Sequence, residues 1–283
     1  MPYAIKMNGV PCYTFEGRCG VQKVDTANTN SVENPPPPDC FLGFEEGVGS
    51  TANDNSVGTT THNGTLAAGT SWYTPAAAGS WAIATGSGEY CSILDHSDFD
   101  WDYNDPWTVS IYTSTLSASY SGIYVKRLGA SPATTAYRGI AIFANNGNIE
   151  IYLVSVWGVV GSTDRAIFVS GTGTSTNIKT GNWHHVLVTY DGSTNASGIT
   201  CWIDGTKHTV ANGKLQISGG HDTLGADTCT NNVNVRLSND TVTTTFPAGG
   251  VDHFNAWKGL YITDAQAAML YNSGTPIDCR RGL

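Results

Sequence analysis

The chain has 283 residues, 40% of them hydrophobic and only 13% charged, and a formal net charge of −9. That length accommodates one large β-sandwich or two small domains, and the apolar share is enough to bury a sizeable core. An acidic balance without any basic run excludes nucleic-acid binding by phosphate neutralisation and docking on an anionic membrane.

Gly, Ser, Thr and Asn stand where charged residues usually would, together with 13 Tyr and 8 Trp. Helical proteins place Glu, Lys and Arg at such positions, so the composition predicts short strands joined by many turns. The opening, MPYAIKMNGVPCYTF, lacks the continuous apolar segment of a secretion signal, and the chain is expected to stay where it is made unless it leaves by another route. Residues 1–34 show little periodicity and end in Pro35–Pro38, a stiff polyproline II spacer. Tyr3, Ile5, Met7, Val10, Tyr13 and Phe15 are too many apolar residues for a purely solvating tail. The expectation is an N-terminal arm over residues 1–38 that folds as a small hairpin or packs on a partner, with a poorly ordered tail as the alternative. One domain over residues 39–283 follows.

Strand patterns then recur at regular intervals. They fall at Trp107–Tyr112, Gly122–Lys126, Gly139–Phe143 and Ile149–Val156, the last two flanking a tight Asn145–Asn148 turn. Val186–Tyr190 ends at Asp191-Gly192, and Ile199–Ile203 ends at Asp204-Gly205 before Thr206–Val210 returns. Val233–Leu237 and Val251–Trp257 complete the set, the spacing of a sandwich or barrel. One helix is predicted from Thr263 to Tyr271, with Thr263 as cap, Gln266 at the capping-box position, and Asn272 and Gly274 as stop. The longest apolar stretch, Ile149 to Gly161, contains Glu150 and is too short to span a bilayer.

Four segments in order resemble the laminin-G-like family of concanavalin A-like jelly rolls. The first is Phe44-Glu45-Glu46-Gly47-Val48-Gly49-Ser50-Thr51, followed by Asp54, Gly58 and Asn63-Gly64-Thr65-Leu66. The second is Gly88-Glu89-Tyr90 with Ile93, an Asp-rich loop to Asp105, and Trp107-Thr108-Val109-Ser110. The third, the strongest, is Gly181-Asn182-Trp183-His184-His185-Val186-Leu187-Val188-Thr189-Tyr190-Asp191-Gly192, then Trp202-Ile203-Asp204-Gly205. The fourth is Gly249-Gly250-Val251-Asp252, then Leu260-Tyr261-Ile262-Thr263 and Met269-Leu270-Tyr271-Asn272-Ser273-Gly274. The chain departs from the family pattern at Val251–Trp257 and in the Thr-rich stretch between Leu237 and Phe246. The resemblance implies an all-β, two-sheet antiparallel jelly-roll sandwich with one short C-terminal helix. It also implies a calcium site built by acids near the opening segment and closing strand, which points at Glu45, Asp54 and Asp252; each of these also suits a turn-stabilising role.

Seven cysteines, at 12, 19, 40, 91, 201, 229 and 279, form no CxxC pair, and reduced thiols are expected. In folds of this kind the terminal strands often lie side by side, so a Cys40–Cys279 bridge is the alternative; Cys91 and Cys201 read as small core residues. His184 and His185 are neighbours on a strand and point to opposite faces, so a structural role is expected rather than joint chelation. The acids Asp95, Asp98, Asp100, Asp102 and Asp105 could hold a hard cation, yet Phe99, Trp101 and Tyr103 alternate with them as in a half-buried loop. Hydrolases on this fold commonly carry Glu-x-Asp-x-x-Glu on one strand; that pattern is missing, Glu150 has no acid two residues away, and no nucleophile elbow exists. Trp72, Tyr73, Trp81, Trp101, Trp157 and Trp257 are candidate platforms for glycan, of which two or three at most are expected to be exposed.

The reading is a non-enzymatic recognition or structural protein of a phage or virus surface, such as a capsid decoration or fibre-like protein. Its arm would anchor it to other virion proteins, as an oligomer, and its jelly roll would face outward to reinforce the shell or bind glycan. A carbohydrate-binding module of a bacterial or algal cell surface is the runner-up, and an atypical glycoside hydrolase the third. No cofactor is expected beyond Ca2+.

Overall fold

Strands form where β-branched and aromatic residues run between turn residues that accept positive φ. A computed structural model describes residues 34–277 except 59, 87, 116–119, 131–135, 158–164 and 241–248, and the backbone of four short strands within residues 1–33. The chain divides into two units, Met1–Glu33 and Asn34–Leu283. In the first, β1 (Ile5–Met7) pairs with β2 (Val10–Cys12), and β3 (Thr14–Phe15) with β4 (Arg18–Cys19).

The second unit continues with β5 (Cys40–Leu42), β6 (Thr51–Ala52), β7 (Gly64–Leu66), β8 (Ser71–Tyr73), β9 (Ala82–Thr85) and β10 (Cys91–Ile93). Longer strands follow: β11 (Trp107–Thr115), β12 (Ser121–Arg127), β13 (Gly139–Asn145), β14 (Asn148–Val156) and β15 (Arg165–Gly171). The set closes with β16 (Trp183–Tyr190), β17 (Ile199–Ile203), β18 (Thr206–Thr209), β19 (Leu215–Thr223), β20 (Val235–Leu237), β21 (Gly249–Lys258) and the helix α1 (Asp264–Tyr271). Among the described residues one sheet runs β19-β15-β14-β13-β12-β20-β10-β7-β6 and the other β18-β17-β16-β11-β21-β9-β8, with β5 added on β21. Every pairing is antiparallel, as the expected two-sheet sandwich requires.

An aromatic stack ties the sheets together. Trp101 lies 5.2 Å from Trp107 of β11 and 5.4 Å from Tyr124 of β12, and Tyr124 lies 6.1 Å from Phe254 of β21, all near parallel. Ile142, Ile151, Val109, Val188 and Phe254 extend the same core. Helix α1 covers the outer face of the second sheet, burying Ala267 and Leu270 against Leu187, Trp202 and Trp257. Its cap is the predicted one: Thr263 Oγ1 accepts from the Gln266 N–H at 3.3 Å, and the Gln266 side chain accepts from the Thr263 N–H at 3.0 Å. Asn272, at φ 42°, ends it in the left-handed region.

Pro35 and Pro38 are buried in the second unit, and the Pro36 carbonyl accepts from Trp257 Nε1 at 2.8 Å. Cys40, Cys91, Cys201 and Cys229 are buried free thiols; Cys279 lies outside the described residues. Burial pushes the Cys91 thiol up to about 12, so it behaves as an apolar core residue. No described helix is long and apolar enough to cross a membrane.

The Asp204-Gly205 turn between β17 and β18 has φ of 50° and 73°, and a Cβ on Gly205 would lie 2.6 Å from the Tyr271 ring. Gly205→Ala is therefore expected to cost about 2 kcal/mol of stability in urea denaturation, from left-handed strain and the displaced Tyr271 ring.

Candidate functional site

The middle strands of the nine-stranded sheet are apolar on both faces. Ile140, Ile142, Ile149, Ile151 and Leu153 point into the core, while Ala141, Phe143, Tyr152, Val154 and Ala166 form a second cluster on the other side with Val125. Alternation places Arg127 of β12, Asn145 of β13 and Glu150 of β14 in phase with that outer set.

Aromatic rings dominate the outer face. Tyr152 stacks on Phe168 at 4.1 Å and meets Phe143 edge-on at 5.7 Å; Tyr120 meets Phe143 edge-on at 5.6 Å. Trp157 stacks on His221 at 4.4 Å. The Arg127 guanidinium lies 4.6 Å from the Phe143 ring, 5.2 Å from Tyr137 and 6.0 Å from Tyr152. Its Nε donates to Asp240 Oδ1 at 3.1 Å, and its Nη2 donates to Asp240 Oδ2. These groups line a pocket of about 280 Å³ bounded by Tyr120, Arg127, Tyr137, Tyr152, Trp157 and Asp240.

A polar chain runs along the same face. Glu150 accepts from Asn145 Nδ2 at 3.0 Å and from the Tyr152 hydroxyl at 2.8 Å, and the Tyr120 and Tyr152 hydroxyls are 3.3 Å apart. Burial, and then Tyr120 and Glu150, push the Tyr152 hydroxyl pKa far above that of an ordinary tyrosine. Tyr152 therefore stays a neutral donor.

The residues singled out by resemblance lie elsewhere. Both oxygens of each carboxylate accept hydrogen bonds. Glu45 accepts from the Ser80 N–H at 2.9 Å, and Asp252 accepts from the Ala77 and Ala78 N–H groups at 2.9 and 3.1 Å and from the His253 N–H at 2.8 Å. Glu45 and Asp252 thus hold one loop. Asp54 holds another, accepting from the N–H groups of Phe41, Ser56 and His62 at 3.0, 2.9 and 2.8 Å.

The acidic loop is anchored from both sides. Phe99 and Trp101 enter the core, while Asp95 and Asp100 flank the buried Lys126 ammonium at 2.6 and 3.0 Å and Asp102 accepts from the Cys229 N–H at 2.8 Å. Of the candidate aromatic platforms, Trp101 and Trp257 are buried in the fold, Trp72 donates to the Gly49 carbonyl, and Trp157 alone lines the pocket above. Arg127, Tyr137, Tyr152 and Asp240 were not legible as a set. The available signal was Glu150 and Tyr152 standing out of phase with Ile149, Ile151 and Leu153.

His184 and His185 point apart. His184 Nδ1 lies 2.7 Å from Asp204 Oδ2, and its Nε2 lies 2.6 Å from Thr180 Oγ1. His185 is buried, with Nε2 2.8 Å from Ser110 Oγ and Tyr112 and Tyr271 as ring neighbours. Burial pulls its pKa from 6.5 down to about 4, against the pull of Asp204. Between those values the unfolded chain binds a proton that the folded one refuses, so stability falls as pH drops from 6.5 towards 4. The expected loss reaches about 3 kcal/mol, read from urea melts across that range, and His185→Gln is expected to flatten it.

A scan against protein-family models gives no match, and a search of curated proteins gives none either. Solved structures give matches to the fold. The binding domain of Paraclostridial Mosquitocidal Protein 1 aligns at TM-score 0.61 and 14% identity, over 84% of this chain and 52% of that one. The binding domain of botulinum neurotoxin DC in complex with rat synaptotagmin II aligns at 0.56 and 10%, over 84% and 52%. The botulinum neurotoxin serotype D ligand binding domain in complex with N-acetylneuraminic acid aligns at 0.54 and 12%, over 85% and 55%. The chain thus spans about half the length of these solved domains, and the likeness is one of fold.

Proposed function

We propose that the chain is a laminin-G-like, non-enzymatic recognition module that binds a saccharide in the outer-face pocket. The observation that carries this is a wall of rings from Tyr120, Tyr137, Tyr152 and Trp157 around an Arg127 held by Asp240. Sugar rings offer C–H faces that pack on aromatic rings and hydroxyls that need fixed donors and acceptors. A largely apolar pocket with a few oriented polar groups meets both needs. At about 280 Å³ it matches a short epitope better than a long chain. The fold neighbour in complex with N-acetylneuraminic acid is compatible with such a use of the sandwich.

Binding rather than hydrolysis is favoured by how the acids are engaged. Glu150 accepts from Tyr152 and Asn145, and Asp240 accepts from Arg127. A glycosidase needs one of its two carboxyls to act as a proton donor. Trp157→Ala and Tyr120→Ala remove partly exposed rings and are expected to weaken binding on a glycan array at least about tenfold, about 1.4 kcal/mol. A signal unchanged in both variants would sink the assignment.

For the setting, we propose display on a virion surface with the first unit as the attachment element. The separate unit Met1–Glu33, with its own paired strands, supports this. Because Pro36 is hydrogen-bonded to Trp257, the informative deletion removes residues 1–33 and spares the prolines. The truncated protein is expected to keep saccharide binding and lose incorporation into particles; equal incorporation would refute the anchoring role.

A further inference from the structure

A cluster away from the pocket combines two imidazoles and a carboxylate. The ligand atoms of His62, His96 and Asp98 all lie within 4.8 Å of one another. Topology brings them together. His62 precedes β7 and His96 follows β10, and these strands pair antiparallel with Gly64 opposite Ile93, so both histidines leave the same end. His62 is fixed by its N–H bond to Asp54 at 2.8 Å and by the Phe99 ring at 4.9 Å. His96 caps the short turn Ser97–Phe99, and its Nδ1 accepts from the Asp98 N–H at 3.2 Å.

His96 Nδ1 and His62 Nε2 converge on the Asp98 side chain. Accepting from the Asp98 N–H requires a lone pair on His96 Nδ1. That same nitrogen also lies 3.2 Å from Asp98 Oδ2. His62 Nε2 is 2.9 Å from the same oxygen, with its side chain almost wholly buried. A cation between the two nitrogens and Oδ2 would take the Nδ1 lone pair in place of the Asp98 N–H and be ligated by all three atoms. Bonds of about 2.0–2.2 Å to a tetrahedral ion place donor atoms somewhat over 3 Å apart, close to the 2.9 and 3.2 Å found. The third edge, between the two imidazole nitrogens, also lies within 4.8 Å.

We propose that His62, His96 and Asp98 form a binding site for a divalent transition-metal ion of the zinc type, with water completing the shell. Two imidazole nitrogens and one carboxylate suit Zn2+ and disfavour Ca2+, which takes oxygen ligands. The site staples the ends of β7 and β10 to the loop that carries Phe99 and Trp101 into the core.

The test uses the full chain, stripped by chelator and titrated calorimetrically with ZnCl2 and separately with CaCl2. The expected result is one tight equivalent of zinc, weakened at least tenfold in His96→Ala and in Asp98→Asn, and no competing uptake of calcium. X-ray absorption at the zinc edge on the wild-type protein gives a readout independent of whether the variants fold, with two imidazole nitrogens and no sulfur expected. No zinc uptake, equal uptake in both variants, displacement by calcium, or a thiolate or all-oxygen shell overturns the proposal.

Discussion

The two-sided burial of β13 and β14 is the constraint on which the rest of the structure depends. A sheet with one face in water alternates apolar and polar residues, whereas a strand covered on both faces is apolar throughout. Here the inner face meets the second sheet and the outer face carries a second cluster around Phe143 and Tyr152. Any charge on that outer face sits against rings and must be paired to be tolerated. Arg127 meets this by bonding Asp240 while lying over Phe143, an arrangement in which the cation–ring attraction offsets part of the desolvation. Glu150 meets it through Asn145 and Tyr152. The outer-face pocket is thus a by-product of covering the sheet, with its polar groups already held in place by one another.

The inner face ties the outer one to the second sheet. The stack Trp101–Trp107, Trp101–Tyr124 and Tyr124–Phe254 crosses from one sheet to the other, and each aromatic pair adds about 1 kcal/mol beyond its buried area. Trp101 reaches that stack because the acids beside it turn outward to Lys126, His62 and the Cys229 N–H. The acidic loop is therefore a folded strap held in place by its carboxylates.

Much of the fold was legible because its strands carry their own signal. β11 and β12 announce themselves through alternation, and β13, β14, β16 and β17 as apolar runs bounded by turns such as Asn146-Gly147, both at positive φ. The helix was legible from Thr263 and Gln266 at its start, the Ala-rich run between, and Asn272 and Gly274 at its stop. β15 and β19 were not read, and β19 carries Gly219 and Gly220 at positive φ; pairing with β15 holds it extended where propensity would not. The pocket was illegible for a different reason. Arg127, Tyr137, Tyr152, Trp157 and Asp240 sit on different strands and loops, so only the antiparallel order brings them together. The same holds for His62 and His96, joined by strands of three residues each, too short to show a period.

A crystal structure of the protein soaked with its best oligosaccharide from an array tests the central claim most directly. The account predicts a sugar ring against Trp157 and Tyr152, with hydroxyls in reach of Arg127 and Tyr120. A sugar bound on the opposite sheet would contradict it.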